Sequence, residues 1–469
     1  MKEEIKKLFS IPRNGPLNGY LVLEIGNLIS GPMASQELAR KGALVIKLEN
    51  KGRGDTARGI LSQAVFSSCN ASKASIALDK TNAEDDKIYL ELLALADVVI
   101  DNRSPDAKMR DSVLQGFLKS QKNHPVIFCS IVGYDSDAYQ DRSALDVAVQ
   151  AETGMAMVNA PNQSFPLKVG FVVIDISTAI QAASTIKDHL LALARGLQLP
   201  PQANNLIFIE QSMAKTAAML LTGQYLNAYT QQKEPIRDAN KDLFVAPFSF
   251  YKTKDGMVSI AIIGDQLFTT FCKKVLGAAA LADKYPTNQS RLESPDFDKD
   301  LGQILITKES YEWINLCKPF GIVCTKVNSV LEMLKEPFAK EMLTTTQSGI
   351  PIIADTSVSS AFSALSLTDA PSLDEHRKHI SAMLRYSSKI QPSGISRFTQ
   401  IYELFLQHYP FSPPAMLYAY HKSKQEMQDN EEERAWHQSS LQRQQSSGIN
   451  APDPWQYSPS NIGKMKAKL

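Results

Sequence analysis

The amino-acid sequence predicts an α/β fold with two parts, a Rossmann-like parallel sheet in a large domain and a smaller α+β domain. The first observation is that short apolar strands alternate with helix-like segments over the first half of the chain. Such alternation favours a parallel sheet whose strands are joined by right-handed helical crossovers. The second observation is a hairpin pattern in the middle of the chain, where residues 248–251 and 257–263 flank a turn with Asp255 and Gly256.

The predicted elements of the first half follow one another in the order that such a sheet requires. Residues 20–25 form a short apolar strand, Pro32 suits the first turn of the helix behind it, and Gly42 suits the cap that ends this helix. Further strands are predicted at residues 44–48, 97–100, 126–131 and 206–209. Further helices are predicted at residues 86–96, 176–195 and 211–226.

Shifts in composition divide the chain into three regions. Residues 1–230 form the large domain, to which residues 331–385 return, and residues 237–330 form the small α+β domain with helices at 266–276 and 310–317. A single helix is predicted at residues 328–343. Residues 386–469 form a polar C-terminal extension, because a segment rich in Glu, Gln and Arg buries little apolar surface. Within it, residues 399–406 and 415–420 could still form short docked helices. We therefore expect a chain that ends near Ile390 to fold and to keep its chemistry.

Composition and charge exclude several classes of protein. The 469 residues carry 50 Lys and Arg against 49 Asp and Glu, so the basic excess of a nucleic-acid-binding protein is absent. No apolar run reaches the length of a membrane span. The five cysteines show no CxxC pair and no metal-ligand spacing, which predicts reduced buried thiols in a cytoplasmic protein without a metal site. They are Cys69, Cys129, Cys272, Cys317 and Cys324.

The turn after the first strand, residues 26–32, lies where Rossmann folds bind dinucleotides. Its glycines are Gly26 and Gly31 alone, so the G-x-G-x-x-G pattern is absent. Without that pattern the backbone lacks its usual close approach to a pyrophosphate, so nicotinamide or flavin binding is disfavoured. On this motif alone, a Rossmann-like unit that binds nothing at this turn is an open alternative.

A series of short motifs follows the turn in a consistent order. They are Gly31-Pro32, residues 42–49 (GALVIKLE), Gly54-Asp55, Arg58, Asn70, Lys73, residues 75–79 (SIALD), residues 96–105 (ADVVIDNRSP), residues 130–134 (SIVGY), residues 142–154, residues 246–256 (APFSFYKTKDG) and residues 371–376 (PSLDEH). Together they resemble the class III CoA-transferases, the family of formyl-CoA and carnitine CoA-transferases and of the related 2-methylacyl-CoA racemases. The resemblance covers about residues 19–384, and the family has glycine at the position of Asp374.

Asp175 is the candidate nucleophile. It ends the apolar run of residues 169–174, where a lone carboxylate is costly unless it is used or paired. The resemblance implies an acyl-CoA:carboxylate CoA-transferase in which this aspartate attacks the thioester and then carries CoA as an aspartyl-CoA thioester. Asp is also a favoured N-cap, so a purely structural role at the start of the next helix is the alternative.

The same resemblance implies where coenzyme A binds as the carrier of the substrate, with no tightly bound cofactor. Its adenine end is expected near Asn50, Leu78 and Asn102, with the Arg110 guanidinium near the phosphates. The pantetheine arm is expected to pass Leu28 and Ile29 towards Asp175. The expected partners are an acyl-CoA, a carboxylic acid and a second copy of the chain in an interlocked homodimer.

Asp146 occupies an acidic position of the family and is a second candidate, for orienting the substrate, with a solvated or helix-capping acid as the alternative. A racemase needs a histidine before this aspartate, and Leu145 stands there, which cannot transfer a proton. A non-catalytic CoA-binding scaffold with the same fold is a further alternative. Asn50 stands where the family often has a basic or stacking residue, and Ser143 stands where formyl-CoA transferases have a basic one.

Overall fold

Six parallel strands form the central sheet: β1 (Leu21–Ile25), β2 (Leu44–Asn50), β3 (Ala74–Leu78), β4 (Val98–Asp101), β5 (Val126–Val132) and β6 (Leu206–Ser212). Their order across the sheet is β3-β2-β1-β4-β5-β6, and every neighbouring pair is parallel. The predicted fold class is confirmed. The computed structural model describes residues 5, 8, 15–139, 142–160, 165–197, 203–235, 240–356, 367–390 and 396–408.

Helices connect these strands. They are α1 (Ser30–Ala39), α2 (Ala57–Ile60), α3 (Gln63–Asn70), α4 (Ala83–Leu95), α5 (Pro105–Met109), α6 (Ser112–Lys119), α7 (Asp146–Glu152), α8 (Met155–Val158), α9 (Val173–Ala194), α10 (Met213–Leu220) and α11 (Thr222–Gln231). The single helix predicted at residues 211–226 is wrong in its start, because β6 runs to Ser212. The Ser212 hydroxyl accepts the Lys215 N–H at 3.2 Å, so the helix begins only after it.

A second sheet lies in the middle of the chain. Its antiparallel strands are β7 (Phe248–Lys252), β8 (Met257–Ala261) and β9 (Val323–Lys326), which includes the predicted hairpin. Its helices are α12 (Asp265–Thr270), α13 (Ala279–Lys284), α14 (Asn288–Glu293), α15 (Phe297–Leu305) and α16 (Ser310–Cys317). A hydrophobic core of its own surrounds Trp313, Phe268 and Phe297. The domain boundaries remain predictions, and the one at residue 237 lies outside the described residues.

The chain after the second sheet is more broken than predicted. It forms α17 (Val330–Met333), α18 (Ala339–Met342), the short strands β10 (Leu343–Thr345) and β11 (Pro351–Ile353), α19 (Arg377–Ser387) and α20 (Arg397–His408). The single helix predicted at residues 328–343 is therefore wrong. Pro337 lies between α17 and α18, where its ring and missing N–H end a helix.

The six-stranded sheet is buried on both faces. Val22, Val45 and Val98 point to one face, where they pack with α1 and α9. Leu21 and Leu23 point to the other face, where they pack with α4, α6 and α19. Since alternate residues of each strand meet a helical layer, the strands read as continuous apolar runs rather than as an alternating pattern.

The motif at residues 371–377 covers the edge strand β3. The His376 N–H donates to Ser75 O at 3.0 Å, and the Ala77 N–H donates to the Asp374 carboxylate at 2.7 Å. Asp374, where the resembling family has glycine, adopts a left-handed φ of 62° that Asp tolerates better than most residues. Its carboxylate supplies a partner for an edge N–H that glycine could not satisfy, and an edge covered in this way does not pair with another chain.

Helix α20 belongs to the core of the large domain. Phe398 and Ile401 are buried in the same cluster as Leu21 and Leu23. Ser396 hydrogen-bonds the buried Asp97 carboxyl, and Thr399 Oγ1 donates to Gly19 O at 3.3 Å. The extension predicted from residue 386 therefore starts with a packed helix, and residues 409–469 lie outside the described part of the chain.

All five cysteines are free thiols and all are buried, as predicted. Within the described residues, the structure contains no helix with the length and apolar character that a bilayer crossing requires.

We predict that a chain ending at Ile390 is destabilised, contrary to the expectation from composition alone. Loss of α20 exposes the surface that Phe398 and Ile401 cover, which costs on the order of 3–5 kcal/mol. Urea unfolding of chains ending at Ile390 and at His408 measures this difference. Equal free energies of unfolding for the two chains would show that α20 contributes nothing to the core.

Candidate active site

The candidate site lies at the carboxyl edge of the six-stranded sheet, between β1 and β4. At this point the connections from neighbouring strands leave to opposite faces of the sheet, and α/β proteins bind their ligands in the crevice that results. The turn that follows β1, residues 26–30, forms one wall. Leu28 in this turn has a left-handed φ of 64°, which a branched apolar residue adopts only when its surroundings hold it there.

The Asn102 side chain holds the turn from the end of β4. Its Oδ1 accepts the Asn27 N–H at 2.9 Å, and its Nδ2 donates to Asn27 O at 2.9 Å and to Ser30 Oγ at 3.0 Å. A Cβ added at Gly26 or at Gly31 would lie 2.9 Å from an Asn102 side-chain atom. The two glycines of the turn therefore make room for an asparagine side chain rather than for a pyrophosphate.

A buried ionic network supports the turn from below. Lys47 Nζ lies 2.5 Å from Glu24 Oε1 and 2.7 Å from Asp55 Oδ2. Lys73 Nζ lies 2.7 Å from Glu24 Oε2 and donates to Pro32 O at 2.8 Å. Burial alone would raise the pKa of Glu24, but the two ammonium groups hold it at about 2. Asp55 Oδ1 in turn accepts the Leu28 N–H at 3.0 Å, so the network reaches the strained residue.

Asp175 lies in the first turn of α9. The segment before it differs from the buried apolar run that the sequence suggested, because Phe171 is 59% exposed and Ile174 is its buried residue. Burial is the largest influence on the Asp175 carboxyl and raises its pKa to about 6, with a second contribution from the Asp146 charge. A hydrogen bond from the Ser30 hydroxyl acts in the opposite direction. Asn102, Ser30 and Asp175 thus form a chain of hydrogen bonds.

Asp146 caps the helix that carries Asp175. Its Oδ2 accepts the Ile174 N–H at 2.8 Å and the Asp175 N–H at 3.1 Å, while Val172, the residue before α9, offers no side-chain cap. Of the two roles considered for Asp146, the structure shows the helix-capping one, and the helix is α9 rather than its own α7. The carboxylate satisfies N–H groups that the start of a helix leaves unpaired.

Gln150 completes this arrangement from the next turn of α7. Its Nε2 donates to Asp146 Oδ1, and its Oε1 accepts the Val169 N–H at 2.8 Å. Sequence reasoning missed both Gln150 and Ser30 as site residues. The signal for Gln150 was its spacing of four residues from Asp146, which places both side chains on one face of a helix.

The structure brings the predicted site residues to one edge of the sheet, but at different distances from Asp175. Leu28 and Ile29 lie in the turn beside Ser30. Asn50 and Leu78 pair with each other at the ends of β2 and β3, further along the edge. Arg110 follows α5, is 79% exposed and forms an ion pair with Asp106 at 2.9 Å. The CoA contacts assigned to these residues and to Asn102 remain predictions.

Comparisons with known proteins extend over most of the chain. The sequence model of the family described as CoA-transferase family III matches residues 17–377. The chain is similar to the succinate–glutarate CoA-transferase of Agrobacterium fabrum, with 29% identity over 69% of this chain and 83% of that protein. It is also similar to the mouse succinyl-CoA:glutarate CoA-transferase, with 28% identity over 81% of this chain and 90% of that protein.

The fold is similar to that of a solved structure as well. A crystal structure of a CAIB/BAIF family protein from Brucella suis superposes with a TM-score of 0.68 at 26% sequence identity. The match covers 79% of this chain and all of that one.

We predict that Asp175→Asn stabilises the protein at neutral pH. The pKa of Asp175 is about 6 in the folded chain, against an ordinary value of 3.8. The folded chain therefore binds the proton more tightly than the unfolded chain, and the stability that this contributes at low pH is lost as the pH rises through 6. The free energy of unfolding of the variant, relative to that of the wild type, should rise by about 2–3 kcal/mol from pH 4 to pH 8. Urea unfolding at the two pH values measures the gain.

Asp188→Asn is the matched control for this substitution, because Asp188 is exposed on the same helix. As a substitution on the exposed surface, it should change the free energy of unfolding by less than about 0.5 kcal/mol. A pH-independent effect of Asp175→Asn would contradict a raised pKa at Asp175.

Proposed function

The chain belongs to CoA-transferase family III, and we propose that its Asp175 carries CoA between an acyl-CoA and a carboxylic acid. The protein is thus an enzyme of the CoA-transferase class. The observation that carries the proposal is the environment of Asp175, a partly desolvated carboxylate that Ser30 and Asp146 hold at the carboxyl edge of the sheet. With a pKa of about 6, most of it is ionised at neutral pH, so it attacks without a general base.

The proposed reaction begins with two acyl transfers on Asp175. In the first, a carboxylate oxygen of Asp175 bonds to the thioester carbonyl carbon and the C–S bond breaks, which releases CoA thiolate and leaves a mixed anhydride. In the second, the thiolate attacks the Asp175 carbonyl carbon, the first acid departs as a carboxylate, and Asp175 holds CoA as a thioester. Two further transfers with the incoming acid reverse these steps. No proton or electron is gained or lost over the cycle.

Asp146 and Ser30 receive supporting roles in this proposal. The Asp146 carboxylate fixes the backbone of Asp175 and its charge raises the pKa of the nucleophile, while the Ser30 hydroxyl orients one carboxylate oxygen. Such fixed groups lower the reorganisation that each acyl transfer needs. The turn at Leu28 and Ile29 is proposed to line the path of the pantetheine arm, with Asn50, Leu78 and Asn102 towards the adenine and Arg110 towards the phosphates.

We further propose small dicarboxylic acids as the exchanged acids, because the relatives named above act on succinate and glutarate. The five buried free thiols suit the reducing cytoplasm, which remains the proposed compartment.

We predict that Asp175→Asn loses exchange by more than about a thousandfold while it still binds CoA. In the wild type, an acceptor acid labelled with oxygen-18 should leave one labelled oxygen on Asp175 after turnover, because the mixed anhydride shares its bridging oxygen. Mass spectrometry of the peptide with Asp175 detects this label. Unlabelled Asp175 after many turnovers, or full activity in the variant, would overturn the assignment.

We also propose a homodimer. Helix α11 has no buried residue in the single chain, and it exposes Leu226 and Tyr229, the latter to 78%. Ile180 and Leu191 on α9 are exposed as well. Apolar surface of this extent is typical of a surface that another chain covers.

We predict a mass of about twice the 51.8 kDa chain in light scattering at micromolar concentration. Tyr229→Glu should shift the population towards the single chain, because it places a charge in the covered surface. A monomeric wild type would exclude this proposal.

A further inference from the structure

Asp175 has two neighbours on different elements, and these neighbours define two sides of the site. Ser30 approaches from the turn after β1, and Asp146 approaches from the start of α7. In the proposed function the pantetheine arm occupies the side of the turn. The acid that receives CoA then has to reach Asp175 from the side of α7. Groups on that side which recognise a carboxylate would select the acid.

Four side chains form a cluster on that side, which we call the Arg142 cluster: Tyr134, Tyr139, Arg142 and Glu152. Arg142 Nη1 lies 2.9 Å from Glu152 Oε1, and the guanidinium carbon lies 4.2 Å from the centre of the Tyr139 ring. The Tyr134 ring lies 5.4 Å from the Tyr139 ring, and its hydroxyl bonds Glu152. The guanidinium is therefore held by a carboxylate and an aromatic face, which restricts its orientation.

The backbone anchors the cluster to the end of β5. A Cβ at Gly133 would lie 2.1 Å from the Ala144 Cβ, so the two ends of the connection from β5 to α7 touch where Gly133 leaves room. The Ala214 N–H donates to Gly133 O at 3.0 Å and fixes this point to α10. Arg142 thus leaves from an anchored stem rather than from a free loop.

The length of α7 sets the distance between the cluster and the nucleophile. Glu152 follows Asp146 by six residues, which corresponds to about 9 Å along the helix axis. Asp146 bonds the Asp175 N–H and Glu152 bonds Arg142, so these two contacts are separated by about this distance along the helix axis and by about 120° around it. A short dicarboxylic acid, together with the contacts at its two ends, spans such a distance.

The exposure of the ion pair leaves the guanidinium open to a ligand. The Arg142 side chain is 50% exposed and that of Glu152 is 42% exposed, and Glu152 occupies one of the guanidinium nitrogens. An arginine binds a carboxylate through paired N–H donors, and the planar fork is suited to this contact more than a lysine is.

We propose that Arg142 binds the distal carboxylate of a dicarboxylic acid while the proximal carboxylate reacts at Asp175. This inference rests on the proposed function and deepens it, because it assigns the preference for dicarboxylates to one side chain. Arg142 acts as a specificity-determining residue and takes no part in the acyl transfers. Glu152 and Tyr139 orient it.

The test compares two acceptors of equal chain length, glutarate and pentanoate, with succinyl-CoA as the fixed donor. Arg142→Gln should lower kcat/KM for glutarate by about ten- to a hundredfold, the range expected for the loss of a charged hydrogen-bonded contact. For pentanoate, which has no distal carboxylate, the kcat/KM of Arg142→Gln should equal that of the wild type. The kcat/KM of Arg142→Lys for glutarate should lie between those of the wild type and of Arg142→Gln, because lysine keeps the positive charge but lacks the paired N–H donors.

Two further variants separate recognition from structure. Glu152→Gln should raise the preference for glutarate, because the amide oxygen still accepts from Arg142 and orients it while the competing negative charge is removed. Arg385→Gln changes an exposed arginine on α19 and should leave kcat/KM unchanged for both acceptors. An equal loss for glutarate and pentanoate in Arg142→Gln would overturn the inference and would assign Arg142 a structural role only.

The outcomes also distinguish this inference from the proposed function. Exchange with pentanoate but not with glutarate in the wild type would overturn the role of Arg142 and leave the role of Asp175 intact. Exchange that survives Asp175→Asn would overturn the assignment of Asp175 as the nucleophile. The ratio of kcat/KM for glutarate to kcat/KM for pentanoate would still test the role of Arg142. If no exchange is detected, calorimetry with CoA-loaded protein decides, and an unchanged Kd for glutarate in Arg142→Gln excludes the contact.

Discussion

The buried network of Glu24, Lys47, Lys73 and Asp55 is the interaction on which the site depends. Its charges are withdrawn from water between β1, β2 and the start of α1, so each is stable only while its partners remain in place. Removing one partner of such a buried pair costs about 3–5 kcal/mol, because the other charge is left uncompensated. The network holds the backbone carbonyls of Gly26 and Pro32 and, through Asp55, the strained Leu28. It therefore defines the shape of the turn before any substrate arrives.

Asp175, the proposed nucleophile, is held from two directions that share no residue. On one side the network and Asn102 position Ser30, whose hydroxyl bonds the Asp175 carboxylate. On the other side Asp146 bonds the backbone of Asp175 and brings a second negative charge close to it. Burial and this charge raise the pKa of Asp175, which makes the ionised form costly and reactive at the same time. The apolar side chains buried on the two helix-covered faces of the sheet stabilise the fold and offset the cost of this arrangement.

Several residues of the family motifs make contacts that stabilise the fold. The motif residues Lys47, Glu49, Asp55, Arg58 and Lys73 form ion pairs behind the turn, all of them buried except the partly exposed Arg58. The segment at residues 371–376 covers the edge of β3. The side-chain amide of Asn102 forms its hydrogen bonds with Asn27 and Ser30 in the turn. A sequence motif indicates that residue types are required, but the pairing of charges across strands that are distant in sequence is visible only after folding.

The sequence by itself determined the fold class, the hairpin of the second sheet, the family and the candidate Asp175, because apolar periodicity, turn residues and ordered motifs are local signals. It failed at residues 328–343, where helical periodicity outweighed Pro337. It allowed a short docked helix at residues 399–406, but the polar composition did not indicate that Phe398 and Ile401 of α20 belong to the core. Tertiary structure alone decided that Asp146 caps α9 and that Ser30 reaches Asp175. It also decided that Arg142 stacks on Tyr139. These contacts join different elements of the fold, and no local pattern records a hydrogen bond between elements that only the packing of the sheet and its helices brings together.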